Sequence, residues 1–336
     1  MFFSSKKSVL GIDIGTTSIK IVQLTHSDGK HVLDTYGIVD VYFDIDERRE
    51  ENIQKTVTVL KALLEKSGVT TKKVMASLPT SVVFTTVIDF PKMRDDELQN
   101  AVEFEAKKYV PLPLDQVTLS WVSAPSEDPD KNRVLITAVP NNVLKGYLRI
   151  FELANLQPMA VEIESLSLMR ALVGSDSAAT LLVDLGAKTT HLDIIEQGNL
   201  VLTRTIPVGG ETITEKIASS LTISNARAEQ FKKEFGINQS PVIPEMIKPI
   251  LAGIKQEISQ VQNIYRARNK SFDRIVLVGG GANLPGFAEY LADIGPKVVQ
   301  GNPLSQLTYS AELTPILRQY SANLSVAIGL ALRTNS

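Results

Sequence analysis

The stretch "GIDIGTTSIKIVQL", residues 11–24, sets an acid, a glycine, three hydroxyls and a lysine among apolar residues. Ile12, Ile14, Ile19 and Ile21 read as strand; Asp13, Gly15, Thr16, Thr17, Ser18 and Lys20 read as a turn and its flanks. Two chemistries fit. In a tight turn of glycine and small hydroxyl residues, backbone N–H groups can converge on phosphate oxygens. Thr16, Thr17 and Ser18 would add donors, Lys20 a positive charge, and Asp13 a ligand for Mg2+, through water because that ion keeps part of its shell. The same residues also suit an ordinary Asp-x-Gly hairpin, and short motifs recur by chance.

A second stretch, "DLGAKTTHLDI", offers Asp184, Gly186, Thr189 and Thr190 in the same roles. The echo is longer than the turn. "VLGIDIGTTSIKIVQL" and "TLLVDLGAKTTHLDII" share an apolar strand ending in Asp, an apolar–Gly pair, hydroxyls and a further apolar strand. Two copies in register imply a duplicated fold with a ligand between its halves. A third segment, "VGGGANLPGF", places Gly279, Gly280 and Gly281, with Asn283, between a buried strand and a helix. A flat nucleobase or ribose could lie on that bare backbone. A close-packed strand–helix turn would look the same, and the spacing is not that of a dinucleotide fingerprint. Glu162 and Glu164 read as the start of a helix. Either could orient or deprotonate a water attacking a γ-phosphate, or both could complement the helix dipole.

The bulk numbers bound the rest. The chain has 336 residues, 43% hydrophobic, with 35 Lys+Arg against 37 Asp+Glu. That suffices for two core-forming units and gives no overall field for nucleic acid. There are no cysteines, hence no disulfides, thiolate metal sites or cysteine nucleophiles. The three histidines, His26, His31 and His191, lack metal-ligand spacing. The opening "MFFSSKKSVLG" has no core for a signal peptide, and no apolar run approaches the roughly 20 residues of a membrane span. A soluble, intracellular protein is expected, with Phe2 and Phe3 in an ordered or frayed terminus.

These residues need positioning elements. Residues 8–25 predict strand, turn, strand, and Val32–Val41 a third strand. Ile53, Val57, Leu60, Leu63 and Leu64 recur at helical spacing, and Gly68 follows as a C′ glycine. "KVMASLP" predicts a buried strand. From 80 to 157 the rhythm changes to strand, helix, strand, strand, helix, a compact α+β unit. Its first helix, in "RDDELQNAVEFEAKKYVPLPL", has Asp95 or Asp96 as its expected N-cap. Its second carries Val143, Tyr147, Ile150 or Phe151, and Ala154 on one side. The α/β rhythm then resumes, so the unit reads as an insertion. A helix over "EIESLSLMRALV" precedes the second turn, 211–269 is mostly helical, and "SVAIGLALR" closes the chain as a short helix.

In order, these elements resemble the actin-like ATPase superfamily, which includes sugar kinases and chaperone ATPases. Its motifs fall at Gly11–Lys20, Val161–Leu172, Leu182–Asp193, Ile275–Phe287 and Val326–Arg333. A narrower resemblance, to the PilM family of type IV pilus proteins, rests on "KKSVLGIDIGTTSIKIVQL", "DELQNAVEFEAKKYVPLPLDQV", "VEIESLSLMRAL", "VDLGAKTTHLDI" and "GGGANLPGF". The second of these is the most specific, because the superfamily's enzymes have no counterpart to it. The PilM family is similar to the division protein FtsA.

The resemblance implies an α/β, two-lobed actin-like ATPase fold with duplicated RNase H-like cores and an inserted α+β subdomain, 1C. The implied division is 1–79, 158–179 and 326–336 for the lobe I core (1A), 80–157 for 1C, 180–210 and 270–325 for the lobe II core (2A), and 211–269 for a helical 2B. It implies ATP and Mg2+ as ligands, held by the residues above, and a groove between 1A and 1C that docks the cytoplasmic N-terminal tail of PilN. It also implies pilus motor ATPases and other platform components as further partners, self-association, and a cytoplasmic location at the inner membrane with indirect membrane contact. The chain as given stops at Ser336, so an FtsA-type anchoring tail is not expected. Ala187 and Lys188 stand where many active ATPases carry Gly-Gly, and this narrows the approach to the γ-phosphate; slow turnover is expected. The competing readings are an FtsA-like filament-forming ATPase and a small-molecule kinase. Against the kinase, 80–157 lacks a sugar-binding polar cluster.

Overall fold

The computed structural model describes residues 7–41, 43, 49–126, 128–237 and 243–333; Phe2 and Phe3 lie outside them. The chain opens with β1 (Lys7–Ile14), β2 (Ser18–Ser27) and β3 (Lys30–Asp40), then α1 (Glu50–Lys66) and β4 (Lys73–Leu78). Ile53, Val57, Leu60 and Leu63 are the buried face of α1, and Gly68 at φ +64° lets the chain leave it in the left-handed conformation.

A separate module follows: β5 (Phe84–Pro91), α2 (Asp95–Tyr109), β6 (Val117–Pro125) and β7 (Lys131–Pro140); the next helix, α3 (Asn141–Leu153), instead packs Val143, Tyr147, Ile150 and Phe151 into the core of the first half beside α1. Its antiparallel sheet runs β5-β7-β6. Leu98, Val102 and Ala106 of α2 pack on Val134, Ile136 and Ala138 of β7 as a core of their own. The N-cap of α2 is Arg94, not Asp95 or Asp96. The Glu97 carboxylate reaches back to accept from the Arg94 N–H at 3.1 Å, so both aspartates fall inside the first turn.

The chain then returns to the first sheet as β8 (Gln157–Ile163) and enters α4 (Glu164–Leu172). The sequence pattern predicts this helix from Glu162, two residues before its start in the structure. Gln157–Ile163 pairs in parallel with β4, so Glu162 lies on a strand. The second half comprises β9 (Thr180–Leu185), β10 (Thr190–Glu196), β11 (Asn199–Ile206), α5 (Gly210–Leu221), α6 (Asn225–Phe235), α7 (Ile243–Arg266), β12 (Arg274–Val278), α8 (Phe287–Leu291), β13 (Lys297–Gln300) and α9 (Thr314–Ala331).

The duplication is plain in the strand order. One sheet runs β3-β2-β1-β4-β8 and the other β11-β10-β9-β12-β13. In each, the first three strands in sequence are antiparallel neighbours and the last two add in parallel. All six residues of β9 are buried, as expected for a strand covered on both faces.

The closing helix is longer than the sequence reading allowed. It starts at Thr314, and Leu317 and Leu324 join Val22 and Leu24 in one apolar cluster. It crosses α4 so closely that a Cβ on Gly329 would overlap the Ser167 carbonyl.

Candidate functional site

β1 and β9 hold equivalent places in their sheets, and each ends in an aspartate, an apolar residue and a glycine. The turns that follow close alike. Gly15 N–H donates to Ser18 O at 3.0 Å, and Gly186 N–H donates to Thr189 O at 3.0 Å. Both turns line one cleft, which takes Asp13, Gly15, Thr16, Thr17, Ser18 and Lys20 from the first half and Asp184, Gly186, Ala187, Lys188 and Thr189 from the second. Glu164, at the start of α4, lines it too, with Gly279 and Gly280.

Charge is concentrated there. Lys20 Nζ lies 3.1 Å from Asp13 Oδ2, and Ser77 Oγ donates to Asp13 Oδ1 at 3.2 Å. Burial works against the Lys20 charge, yet Asp13, Glu164 and Asp184 together hold its ammonium above the usual lysine range. The other carboxyls are pushed the opposite way. Glu164 rises to about 8, first through burial and then through Asp13 and Asp184. Asp184 rises to about 7, through burial and then the negative charges of Asp193 and Asp13. Asp193 is itself fully buried, and burial lifts it to about 6. His191 also lines the cleft; burial lowers it to about 4, so the ring is neutral between Thr189 Oγ1 at 3.1 Å and Thr205 Oγ1 at 3.0 Å.

The chemistry of these groups suits a polyanion together with a cation. Lys20, the turn N–H groups and the hydroxyls suit phosphate oxygens, while Asp13, Asp184 and Glu164 gather three carboxyls around the Lys20 ammonium. Among the described residues no three acidic or histidine side chains form a metal cage by themselves. That suits Mg2+, which is held through one or two carboxylates, water and substrate phosphates. Asp13 and Asp184 are the carboxylates of the two turns that could hold it.

Several sequence-predicted residues lie elsewhere. Thr190 is buried beside the second turn, its hydroxyl donating to Val208 O at 2.7 Å. Gly281 and Asn283 are outside the lining: a Cβ on Gly281 would overlap the Leu185 side chain, and Asn283 is exposed. Glu162 is outside it as well, because two arginines claim its carboxylate. Arg170 reaches Oε1 at 2.8 Å and Oε2 at 3.1 Å, and Arg333 reaches Oε2 at 2.7 Å. Gly279 is there for a steric reason. At φ +82° a Cβ would overlap Asp184 Oδ1 and stand 2.7 Å from Leu185 O.

The sequence reading missed Asn323, His191 and Thr80. Asn323 reaches the cleft from α9; nothing local singles it out, because the same helix carries Arg318, Gln319, Ser321 and Ser325 around it. Thr80 donates its N–H to Glu164 Oε2 at 3.3 Å, so the stretch between β4 and β5 touches the cleft acid.

Residues 11–335 match the family described as type IV pilus assembly protein PilM. FtsA of Streptococcus pneumoniae is 23% identical over 84% of this chain and 73% of its own length. Among solved structures, a chain of a PilM–PilN type IV pilus biogenesis complex superposes with a TM-score of 0.87 at 24% identity, covering 97% of this chain and 98% of that one. MreB 5 of Spiroplasma citri, solved with AMPPNP, superposes with a TM-score of 0.50 at 13% identity, covering 95% and 98%. The fold is that of the actin-like ATPases, and the chain belongs to the PilM family of type IV pilus assembly proteins.

Proposed function

We propose that this protein binds ATP with Mg2+ in the cleft and thereby controls how it docks the cytoplasmic tail of a PilN-type membrane protein. It would do so on the cytoplasmic side of the inner membrane, joining the pilus platform to its motor ATPases. The observation that carries the nucleotide reading is the pair of like-closed turns presenting Asp13 with Lys20, and Asp184, to one cleft. Slow turnover is supported by Ala187 and Lys188, whose side chains stand in the lining.

For the tail, the reading takes the groove between α3 and β8, lined by Lys145, Leu148, Arg149, Glu152, Leu156 and Pro158. Leu148 and Met159 expose 39% and 46% of their surface beside it, enough to anchor apolar side chains. β8 is an edge strand and its first residues, Gln157, Pro158 and Met159, are exposed, which suits an extended segment laid along that end. The Thr80–Glu164 contact supports coupling, because the stretch that leads from β4 into β5 touches a cleft residue. Coupling requires that the nucleotide bind two lobe arrangements unequally.

The experiment is a titration of a fluorescent PilN-type tail peptide, with and without Mg-ATP. Nucleotide is expected to change peptide affinity about five-fold or more, and Leu148→Glu to abolish binding. Equal affinity with and without Mg-ATP would remove the coupling, and undiminished binding by Leu148→Glu would remove the groove.

A further inference from the structure

His26 and His31 lack metal-ligand spacing along the chain, yet the fold sets them face to face. β2 and β3 are joined through Asp28 at φ +51° and Gly29 at φ +73°, the left-handed pair of a tight type I′ hairpin. Ser27 therefore lies opposite Lys30, and His26 opposite His31. The rings meet edge to face with centroids 4.9 Å apart, and their Nδ1 atoms are 2.8 Å apart. Both residues are half-buried, so the pair is reached from solvent.

Hydrogen bonding fixes the state of the rings. His26 Nε2 lies 2.9 Å from the carbonyl of Ala331, the last residue of α9. That carbonyl is among those a helix end leaves without an intrahelical donor. A carbonyl only accepts, so Nε2 carries the proton of a neutral His26, and Nδ1 keeps its lone pair. His31 then donates through its own Nδ1. One ring nitrogen tied to a backbone carbonyl and the other bare is the arrangement that orients a histidine toward a metal. The separation selects the class of ion. Bonds of about 2.0 Å at right angles place two nitrogens ~2.8 Å apart, as on Cu2+ or Ni2+. Tetrahedral Zn2+, with bonds of about 2.0–2.1 Å, needs ~3.3 Å.

We propose that His26 and His31 bind a divalent transition-metal ion of the Cu2+ or Ni2+ type through their two Nδ1 atoms. The ion replaces the proton between the rings. That proton passes to His31 Nε2, so both rings stay neutral, and the His31 ring turns to direct its freed lone pair at the ion. Water completes the coordination, because among the described residues no group of three histidine or acidic side chains forms there. Through His26 the ion is tied to the end of α9, the helix that carries Asn323 into the cleft.

The test adds Cu2+ to the full, untagged chain, and electron paramagnetic resonance counts the nitrogens on the ion. Wild type takes one copper with two-nitrogen splitting. His31→Ala and His26→Gln each lose that splitting. The glutamine amide can still donate to the Ala331 carbonyl, and circular dichroism checks that both variants are folded. His191 is buried with both ring nitrogens engaged, so it offers no competing site. Copper on the cleft carboxylates gives oxygen ligation without the splitting. Calorimetry orders the ions Cu2+, Ni2+, Zn2+ by falling affinity. A wild type with oxygen ligands only, a His31→Ala that keeps both nitrogens, or Zn2+ bound more tightly than Ni2+ would overturn the proposal.

Discussion

Glu164→Gln isolates the electrostatics of the cleft. Glu164 accepts from Thr80 N–H at 3.3 Å and faces Asp13 and Asp184, and its pKa is lifted from 4.5 to about 8. The folded chain therefore holds this proton more tightly than the unfolded chain does. Its contribution to stability is full below pH 4.5 and is lost as pH rises toward 8. At ~1.4 kcal/mol per pKa unit the ceiling is about 5 kcal/mol. Glu164 lines a cleft open to solvent, and screening there reduces the expected effect to about 1–2 kcal/mol. Glutamine keeps the shape of the protonated acid and removes the charge. At pH 8 the nucleotide-free variant should be more stable than wild type by that amount, with a Tm higher by about 2–4 °C. Its stability should also fall less steeply between pH 5 and 8. Asp184, lifted to about 7, keeps part of the slope in both proteins. Urea unfolding across that range, without nucleotide or Mg2+, reads the difference directly. A variant less stable than wild type at pH 8, or two identical slopes, would refute the electrostatic reasoning.

Other outcomes follow from the same geometry. Asp13→Ala strands Lys20 without its 3.1 Å partner and removes a metal-facing carboxylate; isothermal titration should show Mg-ATP affinity falling about ten-fold or more. Gly279→Ala sets a methyl into Asp184 Oδ1 at φ +82°, so urea unfolding should show a loss above about 2 kcal/mol. Glu162→Gln weakens the clamp on Arg170 and Arg333: stability should drop by about 1–3 kcal/mol while the phosphate-release rate holds, whereas a catalytic role would lower the rate. Phosphate release by wild type should stay below the ~1 s⁻¹ of ordinary enzymes.

How much of this was legible in the chain depends on how local the signal is. The Asp-x-Gly turns were readable because each is written in adjacent residues, and their repetition announced two equivalent sheets. The α1 face was readable from Ile53, Val57, Leu60 and Leu63, whose spacing alone makes an apolar stripe. β8 was not. "QPMAVEI" pairs with β4, from which it is separated in the chain by everything from β5 to α3, and only that pairing makes it a strand. Glu162 and Glu164 show the same limit at the site. Two residues apart in sequence, they fall on opposite sides of a strand–helix junction; one is held by arginines from α4 and the chain end, the other lines the cleft.

The sequence by itself determined the turns, the duplicated strands and the chemistry each aspartate could offer, since these depend on neighbouring residues and backbone preference. Tertiary structure alone decided which acids meet. The rise of Glu164 and Asp184 needs burial and a second carboxylate from a distant strand. The place of Asn323 needs α9 to cross the first sheet. Charge interaction depends on separation in space, and that separation is set by packing the two halves against each other.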